Sequence, residues 1–380
     1  MTTELRVKRS HTSEPDVADA LAMLERELEA DAASAVLLFC SGEYDLERLG
    51  PAIADTFTSP VAACTSAGQI GAGGFQKGGI SGVSLRSADL SMRPLLLSPL
   101  SLCRSQAVSL GRQQTKRNTG RTGLKSFGLM MVDGSSMWEE FVAAAIYEAL
   151  GDVTLVGGSA ATSLKQPAAA VYHGGRFLKD AAVLALFETS SLDFASFAVQ
   201  HFVPSTKRLV ITLADPDRRA VYEINGEPAA RAYAKALGVA ETELCARHFA
   251  CYPLLLDLGD QLLPRAIRAR QPDGSLLMAC AIEEGLVVSI ADSKDPLATL
   301  EQALDDVARR VPEPVALLVF DCVLRRLELE TRGLDADVGR LLAQRGAVGF
   351  SSFGEQLGPL HTTHTLTGIA LGTSAAEGPV

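Results

Sequence analysis

No apolar run in the 380-residue chain approaches the roughly 18 residues needed to span a bilayer. The stretch from Met1 to Glu14 is polar and of mixed charge, without the apolar core of a secretory leader. Both absences lead to the expectation of a cytoplasmic protein. The seven cysteines, Cys40, Cys64, Cys103, Cys245, Cys251, Cys280 and Cys322, are scattered, and no two form CxxC. Several sit inside apolar runs such as Leu38-Phe39-Cys40, so they are read as small buried hydrophobes in a reducing compartment. A nucleophile elbow, GxSxG, is missing: Gly349-Phe350-Ser351-Ser352-Phe353-Gly354 has the wrong spacing. No P-loop or dinucleotide fingerprint follows a strand, and Gly71-Ala72-Gly73-Gly74 is too short a match. These absences lead to the expectation that the chain is not an enzyme. The net charge of −10 argues against nucleic acid, whose binding rests on neutralising phosphates. One segment dissents: Leu90 to Val132 has no Asp or Glu but carries Arg93, Arg104, Arg112, Lys116, Arg117, Arg121 and Lys125. Its centre, Gly111 to Lys125, is polar and lacks apolar periodicity. It is read as an exposed, mobile loop and a docking patch for an acidic partner.

What the sequence does have is a pattern occurring three times. A strand-like run (35–40) leads to a helix carrying Leu46, Leu49, Ile53 and Phe57 on one face. A second strand (60–64) ends in the small-residue turn Thr65-Ser66-Ala67-Gly68, and a third strand covers 79–85. The second copy has a strand over 126–132, then a helix with Ser136 and Glu139 spaced as a capping box and Gly151 as its stop. Its second strand (153–156) meets Gly157-Gly158-Ser159-Ala160, and a further strand covers 181–187. The third copy runs from a strand over 315–320 through a helical stretch broken near Gly333. A strand over 347–350 then meets Ser351-Ser352-Phe353-Gly354, and the last strand is 365–371. The first and third turns align, Ser66-Ala67-Gly68-Gln69 against Ser352-Phe353-Gly354-Glu355. Continuous apolar strands predict sheets covered on both faces. The fold class is therefore α/β: two linked regions with layered mixed sheets and a repeated β-α-β-turn-β unit. The three turns are expected to line one shared cleft, because small residues let backbones approach.

Between the second and third copies the pattern changes. Hairpins are predicted around Asp215-Pro216-Asp217 and around Glu283-Glu284-Gly285, and helices from Pro228 to Gly238 and over 295–311. The organisation read from this is an N-terminal arm and helix (1–30), a sensory region (31–202), a second region (203–372) and a tail (373–380).

Several stretches, in order, resemble the FIST family of sensory proteins. They include Val61 to Ile70, Leu155 to Ala160 followed by Val171 to Phe177, Val221 to Ala229, Phe320 to Arg326, Gly349 to Gln356 and Thr365 to Ala370. The layout is similar to a stand-alone subgroup. That resemblance implies a b-type haem, nitric-oxide sensing and action on a partner histidine kinase or other signalling protein. A second copy of the chain is a further partner to expect; nucleic acid and membrane are not. Haem needs one imidazole on iron. His201, at the junction between the two regions, is the first choice of metal ligand. His361 and His173 follow as cofactor-binding residues beside Phe353, Gly354 and Arg325. His11, in the polar arm, and His248, on a helical stretch, are poorer choices. His361 and His364 form HxxH in a loop-and-strand context, and zinc would lack further ligands nearby. The other reading is a sensor of a small polar metabolite such as an amino acid. Arg325 and backbone amides near Gly68 and Gly354 would then receive its carboxylate. Arg325 and Arg326, near Glu328 and Glu330, are otherwise read as helix-surface charges.

Overall fold

The computed structural model describes residues 4–163, 169–259 and 261–373, so most of the tail expected over 373–380 lies outside the described residues. The three copies form three six-stranded mixed sheets of one plan. In the first copy, Ala35–Ser41 and Val61–Ser66 pair in parallel. Ile80–Arg86 runs antiparallel beside Ala35–Ser41, and the arm adds Arg6–Thr12 at the edge as a strand. The second copy repeats this with Lys125–Asp133, Thr154–Ala160, Ala182–Thr189 and, at the edge, Ser91–Leu97. The third does so with Ala316–Cys322, Ala347–Ser352, Leu366–Thr373 and Leu192–Val199.

Each sheet is completed by a hairpin from another copy. The hairpin that follows the first turn, Gln69–Gly71 with Gly74–Gln76, pairs with Ala347–Ser352 of the third copy through Phe350↔Gln69. Its counterpart from the third copy, Glu355–Leu357 with Leu360–Thr362, pairs with Thr154–Ala160 through Gly158↔Glu355. The second copy's hairpin, Val171–His173 with Arg176–Leu178, pairs with Val61–Ser66 through Cys64↔Val171. Phe350, Gly158 and Cys64 hold the same place in their strands, so the exchange is cyclic and the ring is pseudo-threefold.

The inner faces of the three sheets share one core that includes Leu37, Phe39, Phe127, Met131, Val156, Phe320, Phe350 and Ile369. The outer faces are covered by helices: Val17–Leu28 and Leu46–Thr56 on the first, Cys103–Asn118 and Glu139–Leu150 on the second, Pro296–Arg310 and Asp335–Gln344 on the third. Two-sided burial is why these strands read as unbroken apolar runs. Each exchanged hairpin also seats on a helix of its host copy. A Cβ at Gly50 would lie 2.6 Å from Gly175 O, and one at Gly339 would lie 3.1 Å from Phe75 N. Gly50→Val is therefore expected to lower stability by about 1–3 kcal/mol through overpacking, read as a lower urea midpoint. An unchanged midpoint would mean that the second hairpin does not seat there.

Residues 202–293 supply a fourth, eight-stranded sheet. Its first hairpin forms as predicted, Phe202–Asp215 with Ala220–Ile224. The second does not. Leu276–Met278 pairs with Ala220–Ile224 and Ile267–Arg270, whereas Val287–Ser293 pairs with Phe202–Asp215 and Leu254–Asp257. Long-range partners outcompeted the local turn. The predicted loop over 111–125 is also corrected: helix Cys103–Asn118 continues through most of it. The helix holds because Gln114 is buried and donates to Glu188 Oε1 at 2.6 Å, and because Gly111 lies against Ala149. The capping box is absent as well. The helix begins at Glu139, whose carboxylate is spent on Arg219 at 2.7 Å.

Candidate functional site

The three small-residue turns do converge. Ala67 N donates to Ser351 O and Ser351 N to Gly68 O, at 3.0 and 2.8 Å. Phe353 N donates to Ser159 O (3.1 Å), Ser159 N to Gly354 O (2.8 Å) and Ala161 N to Thr65 O (3.0 Å). The expectation of an open cleft there is corrected: the turns hydrogen-bond directly to one another, so small residues serve close packing. Gly354 shows the constraint, with φ +122° and a Cβ that would fall 2.3 Å from His361 Cε1.

Around this meeting point lies a buried polar network. Glu355 Oε1 accepts from Ser352 Oγ at 2.5 Å, and Oε2 from Thr365 Oγ1 at 2.6 Å. The first copy has the same arrangement three residues apart, with Gln69 donating to Ser66 Oγ at 2.9 Å. The second copy has Val171 and Ala160 at these places. Burial pushes Glu355 well above the usual carboxylate range, against its hydroxyl donors, so it is held protonated. Gln356 donates to Ser159 Oγ at 2.8 Å and touches His361 Nδ1 at 3.2 Å.

Helix Val323–Arg332 carries the rest. Its charges are not surface charges: Arg325, Arg326 and Glu328 face inward, because the fourth sheet covers this side. Arg325 Nη1 donates to Asp321 Oδ1 at 2.6 Å, with both side chains fully buried. Arg325 Nε and Nη2, Asp321 Oδ2 and Ser351 Oγ have no hydrogen-bond partner among the described residues. Ser351 is the register partner of Asp321. Burial raises the Asp321 carboxyl, against the pull of Arg325. One turn further along, Glu328 accepts from His201 Nε2 at 2.8 Å, from Ser293 Oγ at 3.2 Å and from Arg332 Nε at 2.9 Å. Burial pushes His201 down, and its hydrogen bond to Glu328 opposes this only in part. For Glu328 burial pushes up, but the His201 bond and Arg332 prevail and hold it low. The pair is a neutral imidazole donating to a carboxylate.

The structure thus brings His201 and Arg325 together, and His361 together with Phe353 and Gly354. His173 stands apart, on the hairpin paired with Val61–Ser66. His361 and His364 face different partners: His364 donates to Ala250 O at 3.1 Å. Asp321, Glu328 and Glu355 were missed by sequence reasoning. The i,i+4 pairs Asp321–Arg325 and Glu328–Arg332 were visible, but nothing local says that this face is buried.

A family model of the FIST N domain matches residues 34–227, and one of the FIST C domain matches residues 229–358. The chain belongs to the FIST family. FIST domains are sensory domains of signalling proteins, consistent with a ligand-sensing role. None of the curated proteins matches this FIST chain. A solved structure described as "Cyanuric acid hydrolase: evolutionary innovation by structural concatenation" is similar over 98% of this chain and 100% of its own. Identity is 9% and the TM-score 0.40. Because that neighbour is an enzyme, the expectation that this FIST protein is not one is withdrawn; a likeness so distant assigns it no reaction. No helix among the described residues is long and apolar enough to cross a membrane.

The residues do not fit the haem that the sequence resemblance implies. An iron-bound imidazole needs a free nitrogen facing an open slot. His201 Nε2 is taken by Glu328, and its ring lies 4.4 Å from that of Phe202 with no solvent exposure. His361 is buried against Gly354. The four best-formed surface grooves lie elsewhere, and none has His201, His361 or His173 in its wall.

Proposed function

We propose that this FIST protein senses a small metabolite carrying a carboxylate, received by Arg325. The observation that carries this is a wholly buried guanidinium with Nε and one Nη unpartnered beside Asp321 and Ser351. Buried polar groups without partners are rare and costly, and a guanidinium fork matches a carboxylate in two parallel hydrogen bonds. Asp321 holds Arg325 in place without the ligand. A carboxylate at the free edge of Arg325 competes with Asp321 and shifts helix Val323–Arg332. The same helix carries Glu328, which holds His201 and Ser293 at the start of one strand of the fourth sheet and the end of its neighbour. The seating of the fourth sheet on the ring is then the two-state element that the ligand biases. A signalling partner, of the histidine-kinase class, reads that change.

The test is thermal melting of the full chain against a panel of small mono- and dicarboxylates and amino acids. One of them is expected to stabilise the protein by about 2.7 kcal/mol at a hundredfold excess over its Kd, and Arg325→Lys to lose that shift. No shift with any carboxylate, or an equal shift in the variant, rejects Arg325 as receptor. Haemin added in parallel checks the other reading: a Soret band that survives dialysis and disappears in His201→Ala would restore it.

A further inference from the structure

The pseudo-threefold ring allows each helical layer to be compared with its two equivalents. Val17–Leu28 and Leu46–Thr56 expose no large apolar side chain, nor do Pro296–Arg310, Val323–Arg332 and Asp335–Gln344. The second copy differs. Val108 on helix Cys103–Asn118 is 43% exposed, and Phe141 on helix Glu139–Leu150 is 64% exposed. The fold therefore does not require these exposed side chains, since the same architecture twice does without them.

Between these two helices runs a groove of about 640 Å3. Its floor is Val108, Gly111, Ala145 and Ala149. The groove is shaped by Gly111, where a Cβ would come within 2.2 Å of Ala149 O. Phe141 is one helical turn before Ala145, on the same stripe. The rim is basic: Arg104, Arg112 and Lys116 against the single carboxylate of Glu148. Those three cations form no ion pair among the described residues. Arg121 and Lys125, by contrast, are tied to Glu188 and Asp193.

We infer that this groove docks an acidic amphipathic helix of a partner protein. Apolar floor, aromatic anchor and charged rim are the parts of a helix-in-groove site. The positive rim on a chain of net charge −10 selects a partner of opposite sign at this face only. A nucleic acid would not use the apolar floor, and the overall charge opposes it. The inference does not depend on the ligand reading.

The experiment is fluorescence anisotropy with the full-length chain and a labelled 18-residue synthetic helix, leucines on one face and glutamates on the other. A matched helix with lysines in place of the glutamates is the control. The glutamate helix is expected to bind, more weakly as salt rises. Phe141→Ser, or Arg112→Glu with Lys116→Glu, is expected to weaken binding about tenfold or more. Val210→Ser, at an exposed apolar position on the fourth sheet, should change nothing. Circular dichroism melts confirm that each variant folds, and the charge-reversal pair tests the site even if Phe141→Ser does not fold. Equal binding of the lysine helix, or equal loss with Val210→Ser, overturns the proposal. So does binding to phosphatidylserine vesicles that falls with the same variants while the glutamate helix stays unbound. Self-association of the chain that Phe141→Ser abolishes, without peptide binding, would likewise assign the face to a second copy.

Discussion

Asp321→Leu is expected to cost about 3–5 kcal/mol of folding stability, because it leaves the Arg325 guanidinium buried without its anion. Only Nη1 of Arg325 has a hydrogen-bond partner, and that partner is Asp321. The loss is thus the desolvation of a charge with nothing to offset it. Asp321→Leu combined with Arg325→Met should recover most of the loss, since a buried ion pair is often matched by apolar residues of similar volume. Urea denaturation of the wild type, both single variants and the double variant completes the cycle. A cost below about 1 kcal/mol for Asp321→Leu would mean the pair is solvated, which would also remove the basis for a receptor site at Arg325. The double variant separates the two roles: it restores the fold while abolishing any carboxylate response.

Acidification should weaken the seating of the fourth sheet through His364. This side chain is fully buried, donates to Ala250 O, and packs edge-on to Phe202 at 5.6 Å. Burial, reinforced by the positive potential of His201 and Arg325 and opposed by Glu328, pushes its pKa from 6.5 down to about 4. Between these values the unfolded chain takes up a proton that the folded chain does not. The stabilisation that His364 supplies is therefore complete above about pH 6.5 and lost as pH falls toward 4, a change on the order of 3 kcal/mol. His201, pushed down as well, adds to the loss. Glu355 and Asp321, pushed up by burial, act in the opposite direction, so the wild-type profile alone is a mixture. The informative quantity is the stability difference between wild type and His364→Gln. It is expected to narrow as pH is lowered from about 7 to about 4. A difference independent of pH would show that His364 titrates normally and is not sealed beneath the fourth sheet.

Both expectations concern groups whose identity was plain in the sequence and whose situation was not. Strand, turn and helix assignments rested on periods of a few residues, and they carried most of the ring. The break of the third helical stretch at Gly333, with φ +71°, and the matched turns at Ser66 and Ser352 are local signals of this kind. The family resemblance was legible for the same reason, since its motifs lie at strand ends and turns. The exchange of hairpins between copies was not legible, because a strand's own sequence does not say which edge it joins. Glu355 was passed over for that reason: its pairing partner is Gly158, far away in the chain.

The sequence by itself determined the repeated unit, the α/β class and the small residues that let three turns meet. Tertiary structure decided the rest. It turned the charged face of Val323–Arg332 inward by laying the fourth sheet over it, and it engaged His201 with Glu328, 127 residues away. It also extended a helix through the basic segment by giving Gln114 a buried partner in Glu188. In each case the deciding energy is burial or a hydrogen bond between residues distant in sequence. Such pairings depend on which surfaces are brought into contact and leave no periodic trace along the chain.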